Sequence, residues 1–491
     1  MSEVAVAVHR HLTAMSRSGL SKPIVLALDD GLLSPGTSVF DFGCGRGGDV
    51  ERLLELGYEA SGWDPVHRPA QPTSEADLVN LGYVVNVIEA PVERADALRA
   101  SWKLARQVLV VAARPDWEGR SVAGQPFGDG ILTTKGTFQR FFKQEELRAW
   151  IEATLEAKSI AAAPGIFYVF RDDRQAQGFL AQRIRHPSRG VRPRRPAARR
   201  TSTSEARYEA NRELLEPLIS FLRERGRLPE DWEIREASAI KERFRSLKAA
   251  IALVRRVTGD EDWAATRVAA ELDLVIYLAL AAFGGRPKFS GLPEDLQLDV
   301  KALCGSYKAA CDKADRLLFS VGNQSAIDAE CVRSDLGKIT REALYVHREY
   351  VALLSPVLRV YEGCAQALTG AVEGATIVKL NRLEPKIAYL EYSEFEREPH
   401  PALRASVRAD LRGLRVKFRD FSTSENPPIL HRKETFVPVQ HLTREKFARL
   451  TEQEERAGLL DDPGGIGMRN EWEKLVANRG YRLMGHRLVK R

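Results

Sequence analysis

Asp41, Gly43, Cys44, Gly45 and Gly47 fall within one short string, Val39-Phe40-Asp41-Phe42-Gly43-Cys44-Gly45-Arg46-Gly47-Gly48-Asp49-Val50, and Asp64 follows downstream. Glycines let a backbone approach a ligand closely, and an acid at a strand end can accept hydrogen bonds from ribose hydroxyls. The flanking residues supply the scaffold such a site needs. An apolar run before Gly43 reads as a strand. Residues 51–56 read as one helix face stopped at Gly57, and residues 59–64 as a second strand with the acid at its end. Strand, glycine turn, helix, strand and acid make the opening unit of a nucleotide-type α/β domain.

The ligand class follows from Asp41. A dinucleotide fingerprint would read G-x-G-x-x-G, but here the glycines are Gly43, Gly45, Gly47 and Gly48, with an acid ahead of them. A pyrophosphate at a helix N-terminus is poorly served by an added carboxylate, whereas a cationic ligand such as S-adenosylmethionine (SAM) tolerates it. The D-x-G-x-G pattern with a second acid after the next strand resembles motif I and the ribose-binding acid of class I SAM-dependent methyltransferases. That resemblance implies a Rossmann-like α/β sheet. It assigns Asp41, Gly43, Cys44, Gly45 and Gly47 to the loop under the methionine moiety and Asp64 to the ribose.

Beyond Asp64 the pattern shortens. Residues 65–75 are loop-like, with Pro65, Pro69 and Pro72, and a strand begins near Asp77. A full class I methyltransferase would place another strand and helix here. The segment is too short for a parallel crossover, so one unit is expected to be reduced or absent. Asn80-Leu81-Gly82-Tyr83 then lies where DNA amino-methyltransferases carry N-P-P-Y, in which a polar group accepts from the target amine and the aromatic ring stacks on an extruded base. Here the prolines are missing. Asn80 and Tyr83 are candidate catalytic residues, with an ordinary strand end and Asn80 beside the methionine moiety as the alternative. Residues 10–35 are a candidate N-terminal lid or a helix on the sheet edge. Phe138, Arg140, Phe141 and Phe142 are either an aromatic–basic lip or core. A last strand over residues 163–170 closes the sheet.

Composition sets the context. At 491 residues the chain holds about three domains' worth of sequence. The longest apolar run, residues 274–283, is too short to span a bilayer. No basic-then-apolar signal opens the chain, and five cysteines without a C-x-x-C pair argue against a zinc or disulfide framework. A cytoplasmic protein without membrane partners or metal is expected. The net charge of +7 is concentrated: Arg183, Arg185, Arg189, Arg192, Arg194, Arg195, Arg199 and Arg200 lie in one acid-free, proline-broken stretch. This reads as a linker, and either a phosphate-binding tether or a solvated spacer.

Residues 205–285 have helical spacing, and more helices follow to about residue 327. Strands are expected at residues 375–380 and 387–390, in a mixed C-terminal region. Alternation in Leu414-Arg415-Val416-Lys417-Phe418-Arg419 puts cations on one strand face, suited to phosphate contacts or to protecting a sheet edge. His431, Arg432 and Lys433, after Asn426-Pro427-Pro428, are further candidates for a phosphate or charged partner.

Several long strings together resemble one bacterial family, the DNA phosphorothioation-associated methyltransferases. They are residues 40–50, Gly62-Trp63-Asp64-Pro65, residues 80–89, residues 164–170, Leu358-Arg359-Val360-Tyr361-Glu362-Gly363-Cys364-Ala365 and residues 426–434. The resemblance spans nearly the full chain. It implies association with systems that replace a DNA backbone oxygen by sulfur, with DNA and proteins of such a system as partners and SAM as cofactor. The expected layout is a methyltransferase-like domain over residues 1–178 and a basic linker over 179–204. A helical region over 205–340 and a mixed α/β domain over 341–491, facing nucleic acid, would follow.

Overall fold

The computed structural model describes residues 8–14, 17–185, 203–461 and 466–491. The candidate contacts Arg192, Arg194, Arg195, Arg199 and Arg200 lie outside them. Among the described residues no helix is long and apolar enough to cross a membrane.

The N-terminal elements are α1 (Lys22–Asp29), β1 (Ser38–Phe42), α2 (Gly48–Glu55), β2 (Glu59–Trp63), β3 (Ala76–Gly82), α3 (Pro91–Leu104) and β4 (Ala105–Ala112). A small antiparallel sheet follows, β5 (Gly124–Phe127), β6 (Gly130–Thr133) and β7 (Phe138–Gln139), then α4 (Gln144–Leu155), β8 (Ile160–Ala163) and β9 (Ile166–Phe170). The main sheet has the order β2-β1-β3-β4-β9-β8. The β2-β1-β3-β4 pairings are parallel, and β9 is antiparallel to both its neighbours. Chain order reverses between β1 and β3, so the carboxyl ends of these strands open the crevice where α/β sheets bind ligands. Among the described residues no strand lies beyond β2 in this sheet. The loop of residues 65–75 stands where the missing strand and helix would be, and the fold is a Rossmann-like α/β sheet one unit short on that side.

The central strands are buried on both faces, as parallel strands must be. Phe40, Val79, Leu81, Leu109, Val111 and Phe167 pack there with Leu98 of α3 and Leu147 and Ile151 of α4. The expected single last strand is a hairpin, turned at Gly165 with φ +77°. Phe138 and Phe142 are core and not a lip. Buried Arg94 anchors the small sheet by a bidentate pair to Asp129, at 2.7 and 3.0 Å, and by donating to the Ile88 carbonyl.

The chain divides into two compact units that differ from the expected serial layout. One holds residues 1–172, 324–355 and 361–491; the other holds 173–323 and 356–360. The second unit is helical: α5 (Asp173–Ile184), α6 (Thr203–Glu209), α7 (Arg212–Arg225), α8 (Ala237–Phe244), α9 (Leu247–Thr258), α10 (Asp260–Ala281), α11 (Glu294–Asp299) and α12 (Tyr307–Val321). Its buried Arg227 pairs with Glu233 and Asp299, both at 2.6 Å.

The first unit continues with α13 (Gln324–Arg333), β10 (Lys338–Ile339), β11 (Ala343–His347) and α14 (Pro356–Thr369), whose first residues belong to the helical unit. Then come β12 (Ile377–Asn381), β13 (Lys386–Tyr392), β14 (Leu403–Asp410), β15 (Arg415–Asp420), α15 (Arg444–Arg456), α16 (Arg469–Asn478), β16 (Tyr481–Leu483) and β17 (Leu488–Lys490). Strands β10 to β15 form one antiparallel sheet in sequential order.

Candidate functional site

The loop after β1 is built on glycines, and at two points any other residue would be strained. At Gly43, φ is +79° and a Cβ would stand 2.4 Å from Val84 Cγ2. At Gly47, φ is +85° and a Cβ would stand 2.1 Å from the Arg68 guanidinium carbon. The loop is tied to β2 by Asp64. The Gly45 N–H donates to Asp64 Oδ2 at 3.0 Å, and the Val66 and His67 N–H groups donate to Oδ1 at 2.9 and 2.8 Å. A carboxylate has about four lone-pair sites, so Asp64 can still accept from a hydroxyl while holding the loop.

A cavity of about 240 Å³ opens beside this loop, lined among others by Arg17, Asp41, Gly43, Cys44, Asn80 and Gly82. Asp41 on β1 and Asn80 on β3 sit opposite each other in register. Both are buried, and Asn80 Nδ2 donates to Asp41 Oδ1 at 2.8 Å. Since the carboxylate accepts, the amide oxygen faces away, and Asn80 Oδ1 is left buried with no partner. A buried unpaired acceptor is costly, and a donor from a ligand would satisfy it. Burial and the nearby Asp49 push the Asp41 carboxyl up to about 7, against the opposing pull of Asn80 and Arg17. The Cys44 thiol is pushed up to about 12 by burial and by Asp41, so it stays protonated.

The end of β3 turns at Tyr83, a non-glycine residue at φ +63°. Backbone held in this region costs of order 1–3 kcal/mol and collects at functional sites. The Tyr83 N–H donates to the Ala112 carbonyl at 2.8 Å, which fixes the turn. Its ring carries the Arg17 guanidinium at 5.5 Å from the centroid, so one face is already covered. Burial raises the phenol above its ordinary value, and it remains a donor and not a base. Gly82 is forced by Asn80, whose Nδ2 would stand 2.9 Å from a Cβ there. The N-terminal segment reaches this site: Arg17 lines the cavity, and Ala14 lies against Gly45.

The other candidates sit elsewhere in this unit. Arg415, Lys417 and Arg419 are exposed along β15, an edge strand, whereas Phe418 points to the opposite face and stacks on Trp117 at 5.3 Å. Lys417 lies directly opposite Arg408, and Arg419 opposite Ser406. With Arg404, these cations share one sheet face. His431 and Lys433 are not phosphate contacts as expected from sequence, because both are buried. Lys433 Nζ donates to the carbonyls of Phe395 and Glu398 at 2.6 and 2.5 Å, and burial pushes it down to about 7. Burial pushes His431 down to about 3, so its ring is neutral. Arg432 is partly exposed but paired with Glu455.

Sequence spacing missed one cluster altogether. His400, His431 and Glu454 are buried with one ligand-type atom each within 4.8 Å of the others. They come from three distant segments, and no local motif marks them.

No family model matches this chain, and no curated protein matches it. Solved structures similar to part of it are methyltransferases. Magnesium protoporphyrin IX methyltransferase from Synechocystis with bound SAH is 17% identical, at a TM-score of 0.23 over 30% of this chain and 80% of that one. The sugar N-methyltransferase from Streptoalloteichus is 16% identical, at 0.23 over 30% and 84%. The SAM-bound amino pentose methyltransferase of calicheamicin biosynthesis from Micromonospora echinaspora is 17% identical, at 0.24 over 30% and 90%. The class of fold stands on the strand order, the switch point between β1 and β3, and the antiparallel β9.

Proposed function

We propose that the first sheet carries a SAM-dependent methyltransferase site. The observation that carries this reading is the buried Asp41–Asn80 pair at the switch point, with Asn80 Oδ1 unpartnered. A protonated amino group satisfies both residues, donating to the Asp41 carboxylate and to Asn80 Oδ1. Asp64, at the end of β2, keeps lone pairs for ribose hydroxyls. Asp41 and Asp49 together disfavour the pyrophosphate of a dinucleotide. When bound, SAM supplies an electrophilic methyl group on a sulfonium. The residues of this chain hold the ligand and exclude water, and orientation of an acceptor at the Gly82–Tyr83 turn supplies most of the rate.

The acceptor we assign is DNA, in association with DNA sulfur modification. The resemblance in the sequence strings supports the association. The face of β14 and β15 supports the acceptor: like charges directly opposite across strands destabilise a sheet, and an anionic backbone against Arg408 and Lys417 relieves that. A non-catalytic ligand-binding role is the second reading, favoured because Cys44 and Tyr83 hold their protons and Asp41 is engaged by the ligand amino group.

Titration of the full chain with SAM tests the site. Binding that Asp41→Asn and Gly43→Val weaken supports it, and no binding defeats both readings. Methyl transfer from labelled SAM to DNA, with and without phosphorothioate, separates them: binding without transfer leaves only the second.

A further inference from the structure

We infer that His400, His431 and Glu454 form a divalent metal site of the zinc class that clips the C-terminal part of the first unit together. The three residues lie in the chain just before β14, in the segment after β15, and on α15. The argument starts from hydrogen positions. A carbonyl can only accept, so the ring nitrogens facing carbonyls must carry the hydrogens. His431 Nε2–H donates to the Ile466 carbonyl at 2.6 Å, and His400 Nδ1–H donates to the Leu430 carbonyl at 3.2 Å. Each ring therefore turns its other nitrogen inward, where it offers a lone pair to a cation. Imidazoles anchored by carbonyls through one nitrogen and free at the other are the arrangement that metal-binding histidines adopt.

The inward atoms do not satisfy one another. His400 Nε2 stands 2.7 Å from Glu454 Oε1, a lone pair against a carboxylate unless a proton or a cation lies between them. A proton there would make a simple ion pair, but it would leave two further atoms stranded. His431 Nδ1 and Glu454 Oε2 are both buried with no hydrogen-bond partner. Glu454 is 0% exposed, and His431 is 7% exposed. A single cation with several coordination positions satisfies all three side chains, and a proton does not.

The donor set is two imidazoles and one carboxylate, which suits zinc and related divalent ions better than magnesium or calcium. Zinc bonds of about 2.0–2.1 Å need these atoms about 3.3 Å apart, so separations of up to 4.8 Å must close and the 2.7 Å contact of His400 with Glu454 must open by side-chain movement. Trp472 of α16 packs against both rings, with centroids 4.8 Å from His400 and 4.5 Å from His431. The two cations next to His431 in the chain are already engaged: Arg432 is paired with Glu455, and Lys433 donates to two carbonyls.

The test uses the full chain stripped with a chelator, then titrated with zinc, and separately with cobalt(II) as a spectroscopic probe. One equivalent of zinc per chain, a visible d–d spectrum of a four-coordinate cobalt(II) site that zinc displaces, and a zinc-dependent rise in Tm are expected. His431→Ala removes the unpartnered Nδ1 donor together with the hydrogen bond to the Ile466 carbonyl. It should weaken zinc by more than about a hundredfold, since outer-shell partners alone are worth 10–100-fold. Absence of bound zinc, or binding unchanged in His431→Ala and Glu454→Gln, overturns the site and leaves a buried His–Glu ion pair. If the variants do not fold, zinc stoichiometry and the cobalt spectrum of the unaltered chain decide.

Discussion

Asp41 gives the sharpest test of the ligand site. Its carboxyl sits near 7 because burial and Asp49 oppose ionisation. A bound ammonium group favours the ionised form, so binding must draw a proton from Asp41 whenever the solution lies below that value. If the ligand takes only the carboxylate form, apparent affinity scales with the ionised fraction, which is about one-tenth at pH 6 and one-half at pH 7. The dissociation constant for SAM should therefore fall about fivefold from pH 6 to pH 7 and level off above it. S-adenosylhomocysteine keeps the amino group and should share the slope, whereas adenosine lacks it and should show none. Calorimetry in two buffers of different ionisation enthalpy would count the released proton directly. Asp41→Asn should bind more weakly at pH 7.5 and lose the slope. A flat profile in the unaltered chain, or a slope surviving in Asp41→Asn, would refute the pairing of Asp41 with the ligand cation.

The same carboxyl carries a stability consequence. Its folded-state value lies above the ordinary carboxylate value, so its contribution is fully present at low pH and is lost as pH rises towards and past 7. Ionising it in the empty protein costs about 4 kcal/mol as an order of magnitude; Asp41→Asn should raise Tm at pH 8 and change it little at pH 4. Gly43→Ala meets both a positive φ and Val84, and should cost about 1–3 kcal/mol on thermal unfolding and weaken SAM binding at least tenfold. Lys433→Met strands the Phe395 and Glu398 carbonyls, and should cost about 1–3 kcal/mol on denaturant unfolding while leaving DNA binding unchanged. Neutralising Arg408 and Lys417 should instead reduce the slope of log affinity against log salt for DNA by about 0.9 per lost phosphate contact.

What could be read from sequence followed the range of the forces involved. The glycine loop, α2, β2 and the shortened segment after Asp64 are set by neighbours in the chain, and their types and order could be read from period and turn residues. The β8–β9 hairpin was hidden because Ile160-Ala161-Ala162-Ala163 has little strand preference, and only the Gly165 turn reveals it. Asn80 could be named, but its pairing with Asp41 and its orphaned oxygen come from the register of β1 against β3. His431 and Lys433 read as surface charge because a sequence does not show that α15, α16 and residues 395–400 close over them. His400 and Glu454 carried no local pattern at all.

The insertion of the helical unit has a further physical meaning for the first unit. Its main sheet ends on the β8 edge, where unpaired backbone groups would invite association with other chains. That edge is closed by residues far downstream. The Ala371 N–H donates to the Ala162 carbonyl at 2.7 Å, and Gly370 lies so close that a Cβ would stand 2.4 Å from the Ala162 carbonyl carbon. Gln144 Nε2 donates to the Leu368 carbonyl at 3.1 Å, and Arg148 donates to the Ala367 carbonyl at 2.6 Å. Arg148 is largely buried, and its guanidinium is held below its ordinary value by desolvation. Cutting the chain where the basic stretch suggests a boundary would therefore open an edge strand and strip a buried arginine of its acceptor. The glycine loop and the sheet that carries the cations belong to one compact unit, interrupted in sequence and tied together by these hydrogen bonds.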